Sequence, residues 1–161
     1  MKTGILFTTV LLNALSAGFF FAWSVSVVLG IKKVADYTYL ESMQNINRAI
    51  LNPAFFILFF GSLITLIVAT CVQFNNKPVF WLVLAAAIIY LAGTFGITAL
   101  GNVPLNNELD ALNIKQLNLI ELKNFRTYYE SNWNHYHNIR TVSGMISFIL
   151  LLISIFIQKI I

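Results

Sequence analysis

Four long apolar runs constrain the fold of this chain more than any other feature. They cover about residues 4–31, 53–72, 79–100 and 142–157. A helix that crosses a bilayer needs about 20 mainly apolar residues. Each run is too long for a barrel strand, and lipid does not tolerate open sheet edges. The sequence therefore predicts an all-α membrane protein, a four-transmembrane-helix bundle in which residues 1–161 form a single membrane domain.

The composition agrees with lipid as the main solvent of the surface. Hydrophobic residues make up 58% of the chain and charged residues only 10%, whereas a soluble domain carries about 25% charged residues. The net charge is +4, but the basic residues do not form the stripe that phosphate binding needs, which excludes nucleic acid as a partner. The lone cysteine, Cys71, can form neither an internal disulfide nor a pair of metal ligands. The expected partners are the membrane and a hydrophobic small molecule or lipid.

The connections between the runs differ in length, and these lengths predict the topology. Residues 73–78 alone join the second and third runs, so these two helices are predicted to be antiparallel neighbours. Two long polar connections cover about residues 32–52 and 101–141. The first run continues past the small residues at which a signal peptide would be cleaved, so we expect it to remain as a span. Both long connections then lie on one side, and both termini lie with the short turn on the other.

The charges near the span ends suggest an orientation. The side with the long connections carries seven Lys or Arg residues together with all six acids. The side with the short turn carries Lys2, Lys77 and Lys159 and no acid. Because unopposed Lys and Arg next to span ends favour the cytoplasmic side, we expect both termini in the cytoplasm and the protein in a bacterial inner membrane.

The first long connection is predicted to contain an amphipathic helix. Its apolar residues recur at the three- to four-residue spacing of one helix face: they are Val34, Tyr37, Leu40, Met43, Ile46 and Ile50. Such a helix would lie on the membrane surface or over the mouth of the bundle. Asn52 and Pro53 then match an N-cap followed by proline at the first helical position of the second span.

The second long connection is predicted to begin as a break and to end as a helix. Asn102, Pro104, Asn106 and Asn107 are residues typical of turns. Helical periodicity returns after Ile114. Because the fourth apolar run is short, we expect a long final helix that extends out of the membrane and continues into that run.

Three large side chains of this final helix share one face near the membrane. Trp133, His137 and Arg140 follow i, i+4, i+7 spacing. His135 lies about 200° around the helix from His137, so the two cannot hold one metal ion from this helix. The simpler interpretations are an interfacial aromatic belt for Trp133 and headgroup anchoring for Arg140.

The first run carries a polar stripe along one face. Asn13, Ser16 and Phe20 share that face, and Ser24 continues it. A polar stripe within lipid should face the other helices and hydrogen-bond to them. We therefore expect this stripe to pack into the bundle interior.

Three segments of the chain resemble a known family. The segments MQNINRAILNPAFF, GTFGITALGNVPLNNELD and SNWNHYHNIRT are similar to those of the DUF1772 family, the anthrone oxygenase-like membrane proteins. The family often has Asn then His before the arginine, whereas this chain has His137 then Asn138. The resemblance implies four spans and, as in characterised relatives, oxidation of an anthrone to an anthraquinone by O2 without a metal or flavin cofactor.

The implied chemistry assigns roles to eight polar or aromatic residues. Removing the acidic CH2 proton of an anthrone gives an anion that reacts with O2, so the protein would supply a base, oxyanion donors and a dry aromatic pocket. His137, with an unperturbed pKa of about 6.5, is the candidate base. Arg140, Asn102 or Asn106 would hold the oxyanion. Asn47 and Arg48 would close the mouth, Trp133 would stack on the substrate, and Asn52 is expected to converge with them.

A second interpretation belongs to a different functional class. The same mouth would serve a small non-enzymatic membrane protein that binds a lipid, a quinone or a partner protein. Haem binding, with His137 or His135 as an axial ligand, is a third interpretation. Convergence of the polar residues in one apolar concavity would favour a binding site of either class over a set of scattered surface residues.

Overall fold

The computed structural model describes residues 2–160, with side chains described for residues 3–158, and this part of the chain is all-helical. Helix α1 is α-helical over Lys2–Ala22 and Val28–Ile31 and π-helical over Trp23–Val27. Helix α2 covers Asp36–Ala49 and α3 covers Pro53–Val72. Helix α4 passes through Lys77–Ile89, the π-helical segments Tyr90–Gly96 and Thr98–Asn102, and Val103–Ala111. A 3-10 turn, Ile114–Gln116, precedes α5, Leu119–Ile160.

Four of these helices are long and apolar enough to cross a bilayer, which confirms the predicted four-span architecture. The stretches are Thr3–Ile31, Pro53–Val72, Lys77–Ala111 and Leu119–Gln158. Their outer surfaces expose large apolar side chains such as Phe7, Ile57 and Trp81, as expected where lipid is the solvent. The protein is an integral membrane protein.

Helix α5 confirms the predicted long final helix. It contains 42 residues, which at 1.5 Å per residue makes a rod of about 63 Å. The hydrocarbon core of a bilayer is about 30 Å thick. About half of the helix therefore extends beyond the membrane, on the side of the long connections.

The bundle interior is closed by side chains from all four spans. Leu6, Leu66, Val83 and Leu151 come from α1, α3, α4 and α5 and are at most 1% exposed. The polar stripe of α1 faces this interior, as predicted. The Ser16 hydroxyl lies 3.1 Å from the Tyr90 hydroxyl, and similar interhelical hydrogen bonds join other small polar residues of the bundle.

Helix α2 confirms the predicted amphipathic helix and lies over the mouth of the bundle. Its buried residues Tyr39, Leu40 and Met43 pack against the ends of α4 and α5 in a second apolar cluster. The Gln44 side-chain amide donates to the Leu109 and Leu112 carbonyls at 2.7 and 3.0 Å. Burial raises the pKa of Tyr39, so its hydroxyl stays neutral within the cluster. The two long connections are therefore packed together on one side.

The start of α3 has the predicted cap. The Phe55 backbone N–H donates to the Asn52 side-chain oxygen at 3.1 Å, and Pro53 begins the helix. This pairing satisfies one of the free N–H groups of the first turn. The local signal was sufficient because the two groups belong to residues only three positions apart.

The predicted helix break after the third span is wrong. Helix α4 continues through Asn102 and Pro104 to Ala111. Two π-helical segments precede Pro104, and such segments change the hydrogen-bond register of a helix, which lets proline follow at the start of an α-helical stretch. Instead of bonding its own backbone, the Asn102 amide donates to the Trp133 carbonyl on α5 at 3.1 Å.

The topology predicts which residues share a side of the membrane. In a Cys71→Ser background, Lys77→Cys and Glu108→Cys should react with a membrane-impermeant maleimide from opposite sides, because α4 crosses the bilayer between them. Labelling of intact cells against lysed cells measures this, and the same data decide whether the short turn is cytoplasmic. The side chains of Lys2 and Lys159, which also entered the orientation argument, lie outside the described residues. Labelling of both cysteines from one side would contradict the topology.

Candidate functional site

A cavity lies under α2, between the outer ends of the spans. Its volume is about 150 Å³, which is room for about ten water molecules. Five aromatic rings form much of its wall: Phe19, Phe20, Trp23, Phe55 and Trp133. A largely apolar concavity with a few polar groups is the usual form of a small-molecule site.

Five of the eight predicted site residues line this cavity. They are Asn47 and Arg48 from α2, Asn106 from α4, and Trp133 and Arg140 from α5. Three separate segments of the chain therefore bring these side chains together. The functional roles of these residues remain predictions.

The other three predicted residues lie beside the cavity rather than in its wall. Asn52 caps α3. Asn102 is fully buried between α4 and α5, where it donates to the Trp133 carbonyl and its own side-chain oxygen has no partner among the described residues. His137 is 1% exposed and lies behind Arg140. Asn52 and Asn102 thus contribute to the helix geometry that surrounds the cavity.

The Arg140 guanidinium is the main charge buried at this cavity. The residue is 8% exposed, and its Nε and one terminal nitrogen each lie 3.1 Å from His137 Nδ1. The guanidinium carbon lies 4.6 Å from the centre of the Phe20 ring and 5.0 Å from that of Trp133. Among the described residues, Arg140 forms no ion pair with a carboxylate. A buried cation without a counter-ion is costly, and an anion bound in the cavity would compensate it.

The hydrogen bonds around His137 determine which ring nitrogen carries a proton. A guanidinium only donates, so His137 Nδ1 must be the acceptor. The ring is then neutral with its proton on Nε2, which lies 2.9 Å from the Ser24 hydroxyl oxygen. That hydroxyl in turn donates to the Phe20 carbonyl at 3.2 Å. The imidazole also stacks on Trp133, with ring centres 4.9 Å apart and planes 16° apart.

A second hydrogen-bond network crosses the roof of the cavity. The Asn106 side-chain oxygen accepts from the Tyr129 hydroxyl at 3.1 Å and from the Trp133 indole N–H at 2.9 Å. The Asn47 amide donates to the same Tyr129 hydroxyl at 3.0 Å. The Asn106 amide N–H groups have no partner among the described residues, so they are available to a ligand in the cavity that Asn106 lines.

An ion pair lies at the mouth of the cavity. Arg48 of α2 donates to the Asp110 carboxylate of α4, and both side chains are at least half exposed. Asp110 is the one carboxylate among the described cavity-lining residues. Solvent screens such a pair, so its contribution to stability is small, but it places one acceptor and one donor next to the opening.

Sequence reasoning missed several residues of this site. Tyr129 is fully buried and belongs to the network above the cavity; its i, i+4 relation to Trp133 was the available signal. Phe20 and Ser24 were placed in a packing stripe, and that stripe leads directly to Arg140 and His137. Phe19 and Phe55 had no distinguishing signal, because apolar aromatic residues occur throughout the spans.

The described residues contain no cluster of three His, Cys, Asp or Glu side chains that would hold a metal ion. His135, one of the two residues considered as a haem ligand, is exposed on the outer part of α5. The other, His137, already has a hydrogen-bond partner at each ring nitrogen.

A family model described as anthrone oxygenase matches residues 43–150 of the chain. The matched range includes the second half of α2, most of α5, all of α3 and α4, and the polar residues of the cavity. It begins after α1, so Phe20 and Ser24 lie outside it. No curated protein and no solved structure matches the chain.

Proposed function

Because the chain belongs to the anthrone oxygenase family, we propose that it uses O2 to oxidise a flat, hydrophobic, anthrone-like aromatic substrate in the cavity under α2. One observation carries the proposal. The buried Arg140 guanidinium, without a carboxylate partner among the described residues, faces a cavity walled by aromatic rings. Such a site suits an aromatic molecule that becomes an oxyanion.

The proposed reaction needs no reactant besides the substrate and O2. Loss of one CH2 proton leaves an electron-rich carbanion, whose charge spreads onto the ring oxygen. This anion forms a C–O bond with O2, and the O–O bond then breaks. One oxygen atom becomes the new carbonyl group, and the other leaves as water with the two hydrogens of the original CH2. The four electrons taken from the substrate carbon reduce the O2 fully.

The protein would act mainly by stabilising the anion. The Arg140 guanidinium donates to the developing oxyanion, and the free amide N–H groups of Asn106 lie on the same cavity wall. Donors that are already oriented in a dry site stabilise charge more effectively than water does. The rings of Trp133 and Phe20 offer apolar faces to a planar substrate, while α2 shields the cavity from solvent.

Two side chains are candidates for the proton acceptor. His137 was the sequence-based choice, but its Nδ1 already accepts from Arg140 and its Nε2 carries the proton. It would act as a base only after one of these contacts opened. Asp110 lies in the cavity wall, where one carboxylate oxygen accepts from Arg48. The geometry therefore favours Asp110 as acceptor and a positioning role for His137.

Anthrone oxidation in detergent under air tests the proposal. Purified protein should accelerate formation of anthraquinone above the spontaneous rate, with one O2 consumed per product, measured by absorbance and an oxygen electrode. Asp110→Asn should lower the rate by about 100-fold, the low end for loss of a general base, whereas Glu108→Gln, which changes an acid of the same helix outside this cavity, should have little effect. Folded wild-type protein at the spontaneous rate would contradict oxygenase activity on this substrate. Saturable anthrone binding without turnover would favour the non-enzymatic binding protein.

A further inference from the structure

Ser24 connects the first span to the buried charge of the cavity without lining the cavity itself. It lies in the π-helical turn Trp23–Val27 of α1, on the polar stripe that faces the bundle. Its hydroxyl oxygen is 2.9 Å from His137 Nε2. π-helical turns occur frequently at functional sites, and this one brings α1 to α5 at the level of Arg140.

The hydrogen bonds define a directed chain from Ser24 to Arg140. The Ser24 hydroxyl donates to the Phe20 carbonyl, which leaves its oxygen lone pairs as acceptors for the His137 Nε2 proton. With the proton on Nε2, the Nδ1 lone pair is free to accept both guanidinium contacts at 3.1 Å. The alternative tautomer, with the proton on Nδ1, would place a donor against a donor.

We propose that Ser24 is a positioning residue that accepts from the Nε2 proton of His137, fixes the orientation of the imidazole and thereby holds the Arg140 guanidinium over Phe20 and Trp133, facing the cavity. The inference rests on the proposed function in that it treats Arg140 as the group that binds the anionic form of the ligand. Ser24 does not touch the ligand. Its effect passes through His137 and Arg140. A change at Ser24 should therefore alter the affinity for anions and not the affinity for neutral molecules of the same shape.

Two matched ligands separate this role from a general effect on the cavity. Anthracene-9-carboxylate is a flat aromatic anion, and 9-methylanthracene is its neutral analogue. Fluorescence titration in one detergent gives the affinity of each variant for both. Ser24→Ala should weaken carboxylate binding about tenfold, the loss of one hydrogen bond in a charged network, and should leave binding of 9-methylanthracene unchanged. Ser24→Cys, which keeps the shape but whose sulfur accepts only weakly, should show the same selective loss if Ser24→Ala does not fold.

Two control variants distinguish positioning from structural damage. Ser26→Ala changes an exposed serine in the same π-helical turn and should leave both affinities unchanged. Ser147→Ala removes a buried hydroxyl that lies within hydrogen-bond distance of the Asn13 side-chain oxygen and the Ala86 carbonyl, about two helical turns from Arg140 and outside the cavity wall. It should lower thermal stability without changing the preference for the anion.

A spectroscopic measurement reports the tautomer of His137 and the hydrogen bond at its Nε2 directly. The chain has two histidines, so His135→Asn leaves His137 as the single reporter for 15N chemical shifts of labelled imidazole. In this background we expect the Nε2-protonated pattern. Adding Ser24→Ala should shift the Nε2 resonance, because its hydrogen bond is lost, while the tautomer stays the same because Arg140 still donates to Nδ1. In a His137→Ala background, Ser24→Ala should weaken carboxylate binding no further, because residues that act through one another are not additive.

Each result of these measurements decides the inference. Ser24→Ala with an unchanged Nε2 resonance and unchanged anion preference would overturn it while leaving the proposed function intact. Wild-type protein that binds the two anthracenes equally, with no effect of Arg140→Gln, would overturn the anion site and the positioning chain together. Loss of affinity for both ligands alike in Ser24→Ala would show a structural role and would also overturn the inference.

Discussion

Arg140→Gln is expected to lower the rate of anthrone oxidation by about 100- to 1,000-fold, the usual cost of removing one oxyanion donor. Arg140 is 8% exposed and its guanidinium faces the cavity. A water molecule in its place would therefore stabilise the oxyanion much less than the guanidinium does. Because this cation has no carboxylate partner among the described residues, its removal should leave the free energy of unfolding within about 1 kcal/mol of wild type or raise it. A large loss of rate without loss of stability would mark a functional charge.

The matched control is Arg48→Gln at the mouth of the same cavity. Arg48 is more than half exposed and ion-paired with Asp110, so its loss should cost about 1 kcal/mol or less, roughly fivefold in rate at most. Arg140→Lys should fall between wild type and Arg140→Gln, since an ammonium keeps the charge but not the planar set of donors. Initial rates at equal folded protein, with thermal unfolding of each variant, provide the comparison. Wild-type activity in Arg140→Gln would remove the central argument for the proposed function.

His137→Ala is expected to lower the rate by at least about 100-fold. Two roles predict this loss, because His137 would act either as the base or as the acceptor that orients the Arg140 guanidinium. His137→Gln separates them. A glutamine oxygen can accept from Arg140 but cannot serve as a base, so a positioning role predicts a rate within about tenfold of wild type, the cost of one imperfect hydrogen bond. The role of base predicts that Gln is as damaging as Ala.

His135→Ala is the control for this pair, since His135 is exposed and lies two residues away. It should retain wild-type activity. The rates are compared under air in one detergent, after subtraction of spontaneous oxidation. If His137→Ala retained the wild-type rate above that background, His137 would have no part in the mechanism.

Solvent requirements and local chemistry were sufficient to predict most of the fold. A bilayer leaves few alternatives for an apolar run of about 20 residues, because every backbone polar group must be paired within the helix. The four spans, the common side of the two long connections and the long final helix follow from this constraint. The cap of α3 at Asn52 was equally predictable, since its donor and acceptor are three residues apart.

Part of the site was also predictable, because one face of a regular helix has a known residue spacing. Trp133, His137 and Arg140 share such a face, and the structure stacks the first two and joins the last two by hydrogen bonds. The polar stripe of α1 was likewise assigned to the bundle interior. The residue of α5 that this stripe contacts could not be predicted. Helix periodicity shows which face of α1 points into the bundle, but not which side chain of another helix lies against that face.

Tertiary structure alone decided the course of α4 and the membership of the cavity. The sequence by itself indicated a break at Asn102 and Pro104, because local rules assume that such residues bond their own backbone. In the folded chain Asn102 and Asn106 instead bond to groups of α5, and π-helical register shifts accommodate the proline. In the same way, Arg140 faces the cavity and His137 lies behind it because Ser24, more than a hundred residues earlier in the chain, occupies the other side of the imidazole. Contacts between distant segments determine these features, and no local pattern encodes them.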